Sequence, residues 1–409
     1  MSNTDFLLGD FSQSVYVQRA RNLIPVLRER ARRQWQQDHV FEETIGDLKA
    51  AGFFQMMQPK RWGGSESSLS EFYEVVMTVA EADPSVAWNL SVIAVHSFHL
   101  ALFEEKAQAD VWANDPQALI GSPYNPSGKA TKVEGGYRLS GYWKFSSGCK
   151  ACDWTFLGGL LDDGTVPDPK SRYQTNQFAF LLPRSDYEIV DNWDVHGLRA
   201  SGSHDIVVKD AFIPDHRALR FTDVIARTTP GHAMYPNSLF HHSFFQVFPR
   251  ATSLPIVVGA LKGMADHMIE YGRARNTSMV RAGVGNTAQD PAVQLAIARA
   301  LDAVEQMKGS LHRSFALMER WLNDGTEADH LFERRLFRYQ TGAAPERCAE
   351  LASELYRVCG GSGVSAELPF GRLLNDILAV RSHITNNYQP HATALVGGLM
   401  GQETPTWPV

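Results

Sequence analysis

Histidines and cysteines are the residues through which this chain could carry out acid–base, metal or redox chemistry. The fourteen histidines offer imidazoles whose unperturbed pKa of about 6.5 suits proton transfer near working pH, although their number alone singles out none. Cys149 and Cys152 form a CxxC pair, but the other two cysteines add no second pair at zinc spacing. This pattern favours small buried thiols over a metal or redox site.

Two glycine-rich strings could approach the phosphates of a nucleotide. GGSG at Gly360–Gly363 does not open a strand–turn–helix unit, and GVGNTA at Gly283–Ala288 lacks the lysine of a P-loop. The sequence also has no Rossmann GxGxxG fingerprint. We therefore expect no direct binding of NAD(P)H, which favours delivery of electrons by another protein in any redox role.

Length and composition are those of an ordinary globular protein. The chain has 409 residues, of which 44% are hydrophobic and 21% charged, enough for a large core and two or three domains. A net charge of -6 gives no reason to expect nucleic-acid or membrane partners. Met1–Asp10 lacks the features of a signal peptide, and no apolar run approaches the ~20 residues that span a bilayer. We expect a cytoplasmic protein.

The periodicity of apolar residues divides the chain into three regions. From about Ser12 to Trp112 the spacing is helical, with Gly52 ending one helix and Asp83 positioned to cap another that carries Trp88 and His96. From about Ala118 to Thr222 short alternating runs predict strands.

The predicted strands are, in chain order, Tyr137–Ser140, Trp154–Leu161, Phe178–Leu182, Tyr187–Trp193 and Asp205–Ile213. After a loop-like stretch, Thr228–Ser238, the predicted helices are Leu254–Arg275, Ala292–Asn323, Glu327–Thr341 and Ala344–Cys359. Strands confined to the middle of a helical chain predict an α+β protein. We divide it into a helical domain (1–117), a β domain (118–222) and a second helical domain (223–409).

Four strings, in the right order along nearly the whole chain, resemble the acyl-CoA dehydrogenase superfamily. They are WGG at Trp62–Gly64, YRLSGYWKFSSGCKACDW at Tyr137–Trp154, HGLRASGSHDIVVKDAFIP at His196–Pro214 and CGGSGV at Cys359–Val364. The resemblance implies an acyl-CoA dehydrogenase-like fold: a helical N-terminal domain, a central β-barrel or sandwich, and a C-terminal four-helix bundle. It also implies a flavin cofactor and a homotetramer.

The chain departs from the dehydrogenases where they carry a catalytic glutamate. Ile384 falls at that position in an ungapped count, and an alkyl group cannot abstract a proton. A histidine seven residues after Asp376, His383, is instead similar to the two-component flavin monooxygenases, including the oxygenase components of p-hydroxyphenylacetate 3-hydroxylase and a steroid-degradation phenol hydroxylase. Members of that branch take FMNH2 or FADH2 from a separate NAD(P)H:flavin reductase, form a C4a-hydroperoxyflavin with O2, and hydroxylate an aromatic, usually phenolic, substrate.

The same resemblance implies roles for individual residues near the flavin ring and the substrate. Ser147 would contact flavin N5, with Ser146 taking that role if the alignment slips by one. His383 would act as the base that removes the phenolic proton, with His391 the less favoured histidine. The remaining candidates are His96 and Ser122, which would contact the substrate oxygen, and Trp88, which would form an aromatic wall beside the flavin.

Phosphate binding would fall to a cation and to glycine backbone. Arg275 resembles the cofactor arginine of the dehydrogenases, with Arg273 an equally charged alternative, and Gly360 and Gly361 would approach a phosphate, in relatives often that of a neighbouring subunit. Three other functions stay open: the same flavin chemistry on nitrogen or sulfur, an acyl-CoA dehydrogenase-like flavoprotein, and a non-catalytic binding protein.

Overall fold

The computed structural model describes residues 11–166, 168, 171, 173–236, 238–275 and 286–402. Along the sequence, helices come before and after the strands of a central sheet. The first five helices are α1 (Val15–Gln36), α2 (Glu42–Ala50), α3 (Leu69–Ala80), α4 (Pro84–Leu100) and α5 (Glu105–Trp112). After the sheet come α6 (Phe221–Ala226), α7 (Pro230–Met234), α8 (Phe244–Ala251), α9 (Leu254–Ala274), α10 (Pro291–Asp324), α11 (Leu331–Val358), α12 (Phe370–Arg381) and α13 (Gln389–Leu399).

Eight described strands form one mixed sheet. They are β1 (Ile120–Gly121), β2 (Gly128–Val133), β3 (Gly136–Ser146), β4 (Trp154–Leu161), β5 (Gln177–Pro183), β6 (Glu188–Val190), β7 (His204–Pro214) and β8 (Ala218–Arg220). The order across the sheet is β6-β7-β3-β2-β4-β5-β8, with β1 added beside β4. Only the β1–β4 and β2–β4 pairs are parallel among the pairings of these strands. The predicted α+β class is confirmed.

Helix α4 forms the centre of the N-terminal helical region. Asp83 caps it as predicted, because its carboxylate accepts from the backbone N–H groups of Ser85 and Val86 and Pro84 occupies the first turn. Every residue of α4 is buried, so its apolar and small polar side chains pack on all sides. Trp88, Val92 and His96 follow one another at four-residue spacing and therefore share one face.

The structure has one helix, α11, where the sequence predicted two helices separated near Gly342. Leu331–Val358 is a single helix with Pro345 inside it. Proline lacks the N–H that would bond the carbonyl four residues earlier, which is that of Thr341. Ser253, at the start of α9, donates its hydroxyl to this carbonyl at 2.5 Å. A side chain from a neighbouring helix thus supplies the bond that proline removes.

Helices α9, α10, α11 and α12 pack against one another as the C-terminal bundle. The loop-like stretch predicted at Thr228–Ser238 contains the short helix α7, which begins at Pro230. The sequence led us to expect no apolar run long enough to span a bilayer, but among the described residues the helical run Phe244–Ala274, which comprises α8 and α9, is long and apolar enough to do so. Its most apolar window is 94% buried within the protein, as in the core helices of a globular protein.

Candidate active site

One cavity of about 630 Å³ lies where α4, the end of β3, α8 and the segment after α12 meet. Its wall includes six residues singled out from the sequence, namely Trp88, His96, Ser122, Ser147, His383 and His391. Eight further residues of the wall are aromatic, namely Tyr124, Tyr142, Phe145, Tyr173, Phe221, Phe244, Phe245 and Phe248. Residues from distant parts of the sequence therefore share one cavity.

A β-bulge decides which of two adjacent serines faces the cavity. The β3–β7 register pairs Trp143 with Ile206 and Ser146 with His204, so β3 carries one extra residue between these pairs. Phe145 takes up this residue at a positive φ of 69°. A one-residue slip exchanges the two faces of a strand. Ser147 consequently lines the cavity, while Ser146 is fully buried away from it.

Asp205 on β7 holds the bulge in place. Its carboxylate accepts from the backbone N–H of Phe145 at 3.2 Å and from the hydroxyl of Tyr142 at 2.5 Å. Gly148 follows the bulge with φ 69°, and a side chain there would come within 2.8 Å of Ile93 on α4. The glycine therefore lets the end of β3 approach α4 closely.

Ser147 sits at the centre of a hydrogen-bonded group. The indole N–H of Trp88 donates to its hydroxyl oxygen at 2.8 Å, and its hydroxyl lies 2.7 Å from that of Ser203. The Trp88 ring also meets the His383 ring edge-on, with centroids 5.3 Å apart. Trp88 thus connects the serine and the histidine across the cavity wall.

His96 is a neutral hydrogen-bond acceptor. Its Nδ1 lies 2.6 Å from the carbonyl oxygen of Ile120, and because a carbonyl only accepts, Nδ1 carries the hydrogen. Burial lowers the pKa of His96 to about 4, against the opposing effect of this bond. Nε2 is buried and makes no hydrogen bond to the described residues. A hydroxyl on a bound molecule can therefore donate to it.

His383 lies on the turn that follows α12. Its Nδ1 is 2.7 Å from the hydroxyl of Thr385, which is 2.7 Å from the hydroxyl of Thr252. The buried Arg338 donates to the Thr385 carbonyl at 2.6 Å, and Asn386 donates its side-chain amide to the carbonyls of Thr252 and Val380. The turn carrying His383 is thus tied to α8, α11 and α12.

The described residues that line the cavity include no aspartate or glutamate. Ile384, at the position of the dehydrogenase glutamate, is among them. The charged side chains on the wall are instead the cations Lys144 and Arg338. A carboxylate that could abstract a proton from carbon is therefore absent from this part of the described chain.

Arg275, Gly360 and Gly361 lie together, but not on the cavity of the same chain. Arg275 donates to the Cys359 carbonyl at 2.7 Å and lies 3.4 Å from the Ser362 hydroxyl. Gly360 has φ 69° and ψ -174°, a backbone conformation that essentially only glycine adopts. At Gly361 there is open space, because no atom lies within 4 Å of a Cβ built there. Arg273 is exposed on the last turn of α9, whereas Arg275 is half-buried against the glycine turn.

Comparison with known proteins identifies the family. Models of the acyl-CoA dehydrogenase N-terminal and C-terminal domains match residues 16–114 and 251–388. The flavin-dependent monooxygenase oxygenase subunit HsaA of Mycobacterium tuberculosis is 35% identical over 373 residues, 90% of each chain. This chain belongs to the flavin-dependent monooxygenase oxygenase subunits.

Other members of this monooxygenase family are similar over almost the whole chain. The FADH(2)-dependent resorcinol hydroxylase oxygenase component of a Rhizobium species is 30% identical, covering 95% of this chain and 94% of its own. The crystal structure of 3-HSA hydroxylase from Rhodococcus sp. RHA1 superposes with a TM-score of 0.88 at 32% identity, covering 96% and 98%. The expected dehydrogenase-like fold and flavin-dependent enzyme class are confirmed.

The monooxygenase cavity also contains residues that sequence reasoning missed. Thr252, Arg338, Thr385 and Tyr124 all line it. A signal was present for Thr385 alone, since it stands two residues after His383. The others lie on helices or loops whose approach to the cavity depends on tertiary packing, which periodicity does not report.

Proposed function

We propose that this monooxygenase hydroxylates the ring of a phenol, with reduced flavin supplied by a separate NAD(P)H:flavin reductase and O2 as co-substrate. One observation supports this most strongly. Ser147, Trp88, His96 and His383 line one aromatic cavity whose described wall has no carboxylate. Such a wall suits a flat guest and proton transfer at oxygen, and it lacks the base that acyl-CoA dehydrogenation needs.

The wall fits a flavin ring system on chemical grounds. Bound reduced flavin supplies the electrons that activate O2 for transfer of one oxygen atom. Trp88 offers a flat apolar surface and Ser147 a hydroxyl 2.8 Å from the indole nitrogen, so both would hold the ring. Phe244, Phe245 and Phe248 would exclude water, which otherwise diverts activated oxygen to hydrogen peroxide.

His383 and His96 would have different roles towards the phenol, one as a base and the other as a hydrogen-bond acceptor. The imidazole of His383 would take the phenolic proton and so raise electron density on the ring. His96, neutral and with Nε2 as acceptor, would hold a second hydroxyl or orient the first, helped by the Ser122 hydroxyl. Two relatives act, by their names, on hydroxylated rings, resorcinol and p-hydroxyphenylacetate, which supports a phenolic substrate here.

Arg275 with Gly360 and Gly361 would hold the phosphate of a flavin bound mainly by another subunit of a homotetramer. Their separation from the cavity of their own chain supports this assignment, and the open glycine backbone offers N–H groups to an anion. Arg275 is favoured over Arg273 because it already bonds the glycine turn. We propose FMN as the flavin, with FAD as the alternative.

The test is reconstitution of the full chain with a flavin reductase, NADH, and FMN or FAD, using resorcinol and p-hydroxyphenylacetate as probes alongside a panel of phenols, indoles and sulfides. We expect a hydroxylated phenol, and His383→Asn should lower its rate of formation about 100-fold while NADH oxidation continues and hydrogen peroxide accumulates.

His196→Asn is the matched control, because His196 is exposed and lies outside the cavity. It should hydroxylate at the wild-type rate. Undiminished phenol hydroxylation by His383→Asn, or turnover of sulfides or indoles without any phenol, would contradict the proposal.

A further inference from the structure

A chain of two hydroxyls leads from His383 to a backbone carbonyl at the end of α8. Thr385 Oγ1 lies 2.7 Å from His383 Nδ1, and Thr252 Oγ1 lies 2.7 Å from Thr385 Oγ1. Thr252 Oγ1 in turn lies 3.3 Å from the carbonyl oxygen of Pro249. Thr252 and Thr385 are buried, so these groups exchange few hydrogen bonds with water.

The carbonyl fixes the direction of donation along this chain. A carbonyl oxygen only accepts, and each threonine hydroxyl has one hydrogen. If Thr252 donates to Pro249, the hydrogen between the two threonines must come from Thr385. The Thr385 oxygen then has a lone pair for His383 Nδ1, which must donate. One contact opposes this direction, because the Thr385 backbone N–H only donates and lies 3.4 Å from Nδ1, about as long as the 3.3 Å contact between Thr252 and Pro249. At Nδ1 itself the Thr385 hydroxyl is the nearer partner, at 2.7 Å.

This direction determines which nitrogen of His383 is basic. A neutral imidazole with its hydrogen on Nδ1 has its lone pair on Nε2. When Nε2 takes up a proton, Nδ1 still carries a hydrogen that needs an acceptor, and the Thr385 oxygen provides it. The opposite direction would leave Nε2 protonated in the neutral ring and unable to accept.

We propose that Thr385 and Thr252 are positioning residues that make Nε2 the proton-accepting nitrogen of His383. The proposal rests on the function proposed above for His383, and it adds two residues that act through the histidine without being the base. Thr252 is the sharper test of the two, because its hydroxyl bonds Thr385 and so stands one step removed from the imidazole.

The direct experiment is NMR of the full chain labelled with ¹⁵N-histidine, recorded at alkaline pH where imidazoles are neutral. His383→Asn identifies the signals of His383 by their loss. In the wild type and in Thr252→Ser we expect the His383 tautomer with its hydrogen on Nδ1. In Thr252→Val we expect at least half of the molecules to have this hydrogen on Nε2. A hydrogen on Nε2 in the wild type, or a Thr252→Val spectrum like the wild type, would overturn the proposal.

Turnover separates this proposal from the function on which it rests. Thr252→Val should hydroxylate the best phenol of the panel about 10- to 100-fold more slowly, and Thr252→Ser should restore the rate. If Thr252→Val changes neither the tautomer nor the rate while His383→Asn is inactive, the result supports His383 as the base and contradicts the positioning role of the two threonines. If the tautomers behave as expected but no phenol is hydroxylated, the proposed function fails and the role of the threonines in setting the tautomer stands.

Discussion

Individual side chains in the cavity acquire their chemistry from very local contacts. His96 and His383 both have a hydrogen-bond partner at Nδ1, a backbone carbonyl for His96 and the Thr385 hydroxyl for His383. Their environments nevertheless differ, because His96 is almost fully buried and its pKa is lowered by burial. His96 therefore stays neutral and can accept a hydrogen bond at Nε2, and proton exchange with the substrate is the role proposed for His383.

Replacing His96 with Phe should weaken binding of resorcinol about tenfold, since one buried hydrogen bond to the ligand is lost. In the wild type, His96 should not alter binding between about pH 6 and about pH 8, because its pKa is about 4 and it gains a proton only as the pH falls towards that value. Titration of the reduced-flavin protein with resorcinol under anaerobic conditions measures both effects. Binding unchanged in His96→Phe would remove His96 from the substrate site.

The two serines at the bulge should respond in opposite ways to alanine. Ser147→Ala removes the hydroxyl that accepts from Trp88, and we expect the yield of product per NADH to fall about tenfold. Ser146→Ala removes a buried hydroxyl that has no hydrogen-bond partner among the described residues, so the yield should stay at the wild-type level. The ratio of product to hydrogen peroxide measures this, and the reverse pattern would move the flavin contact to Ser146.

The sequence was sufficient to identify the main cavity residues but not their partners. His383, His96, Trp88 and Ser122 could be chosen because local strings resemble a known family. The choice between Ser147 and Ser146 depends on an extra residue in β3, which leaves no pattern in composition or periodicity. Thr252 depends on long-range packing and could not be chosen at all.

At the scale of the element, helices and strands follow local rules until tertiary contacts override them. Asp83 and Pro84 start α4 where their types predict. The bounds of β4 are those predicted from the sequence, Trp154–Leu161. Proline inside a helix removes a backbone hydrogen bond, yet α11 continues through Pro345, where Ser253 at the start of α9 donates to the carbonyl that proline leaves without a partner. Only a folded neighbour can provide that bond.

The bond between Ser253 and α11 can be tested by a double-mutant cycle. Ser253→Ala should lower the free energy of unfolding by about 1–3 kcal/mol, because the buried Thr341 carbonyl loses its partner. The same change in a Pro345→Ala background should be much less harmful, since the introduced alanine has a backbone N–H of its own to donate. Urea unfolding of the four proteins gives the coupling energy. Additive effects would show that the serine does not compensate for the proline.

At the scale of the whole molecule, the β region docks on the C-terminal bundle just before His383. The backbone N–H of Leu198 donates to Asp376 on α12 at 2.6 Å, and a side chain built at Gly197 would overlap the Asn375 carbonyl. Asp376 is fully buried, and its second oxygen has no hydrogen-bond partner among the described residues. The β region and α12 are therefore in close contact, and the carboxyl group of Asp376 is buried between them.

Stability should therefore depend on the ionisation of Asp376. Burial raises its pKa from 3.8 to about 7, against the nearby Arg372 guanidinium. A carboxyl with a raised pKa is harder to ionise in the folded state, so it destabilises the fold increasingly as the pH rises from about 4 to about 7, and the full cost remains above that range. Asp376→Asn keeps the acceptor for Leu198, and we expect it to stabilise the protein at pH 8 by about 1–4 kcal/mol.

Thermal unfolding between pH 5 and pH 8 measures this effect. The exposed Asp194 provides the control, because Asp194→Asn should leave the pH dependence unchanged. A loss of stability in Asp376→Asn at pH 8 would show that the ionised carboxylate is favourable where it lies.

The overall order of regions, helical then β then helical, was predictable because helical and strand periodicities are local. The strands occur between Ile120 and Arg220, and the division into three domains at residues 117 and 222 stays a prediction. Cytoplasmic residence and the homotetramer likewise stay predictions. The convergence of α4, β3, α8 and the turn after α12 on one cavity could not be derived from spacing, since it depends on how distant layers pack.

The extra residue at Phe145 has a consequence for comparing homologues. Two sequences can carry the same pair of serines in the same alignment columns, yet direct different members of the pair into the cavity if only one of the two strands bulges there. Function assigned by column identity would then be transferred to the wrong atom. We expect deletion of Phe145 to exchange the positions of the two serines without altering either of them. Strand geometry as well as residue identity must then be inherited for the same serine to line the cavity.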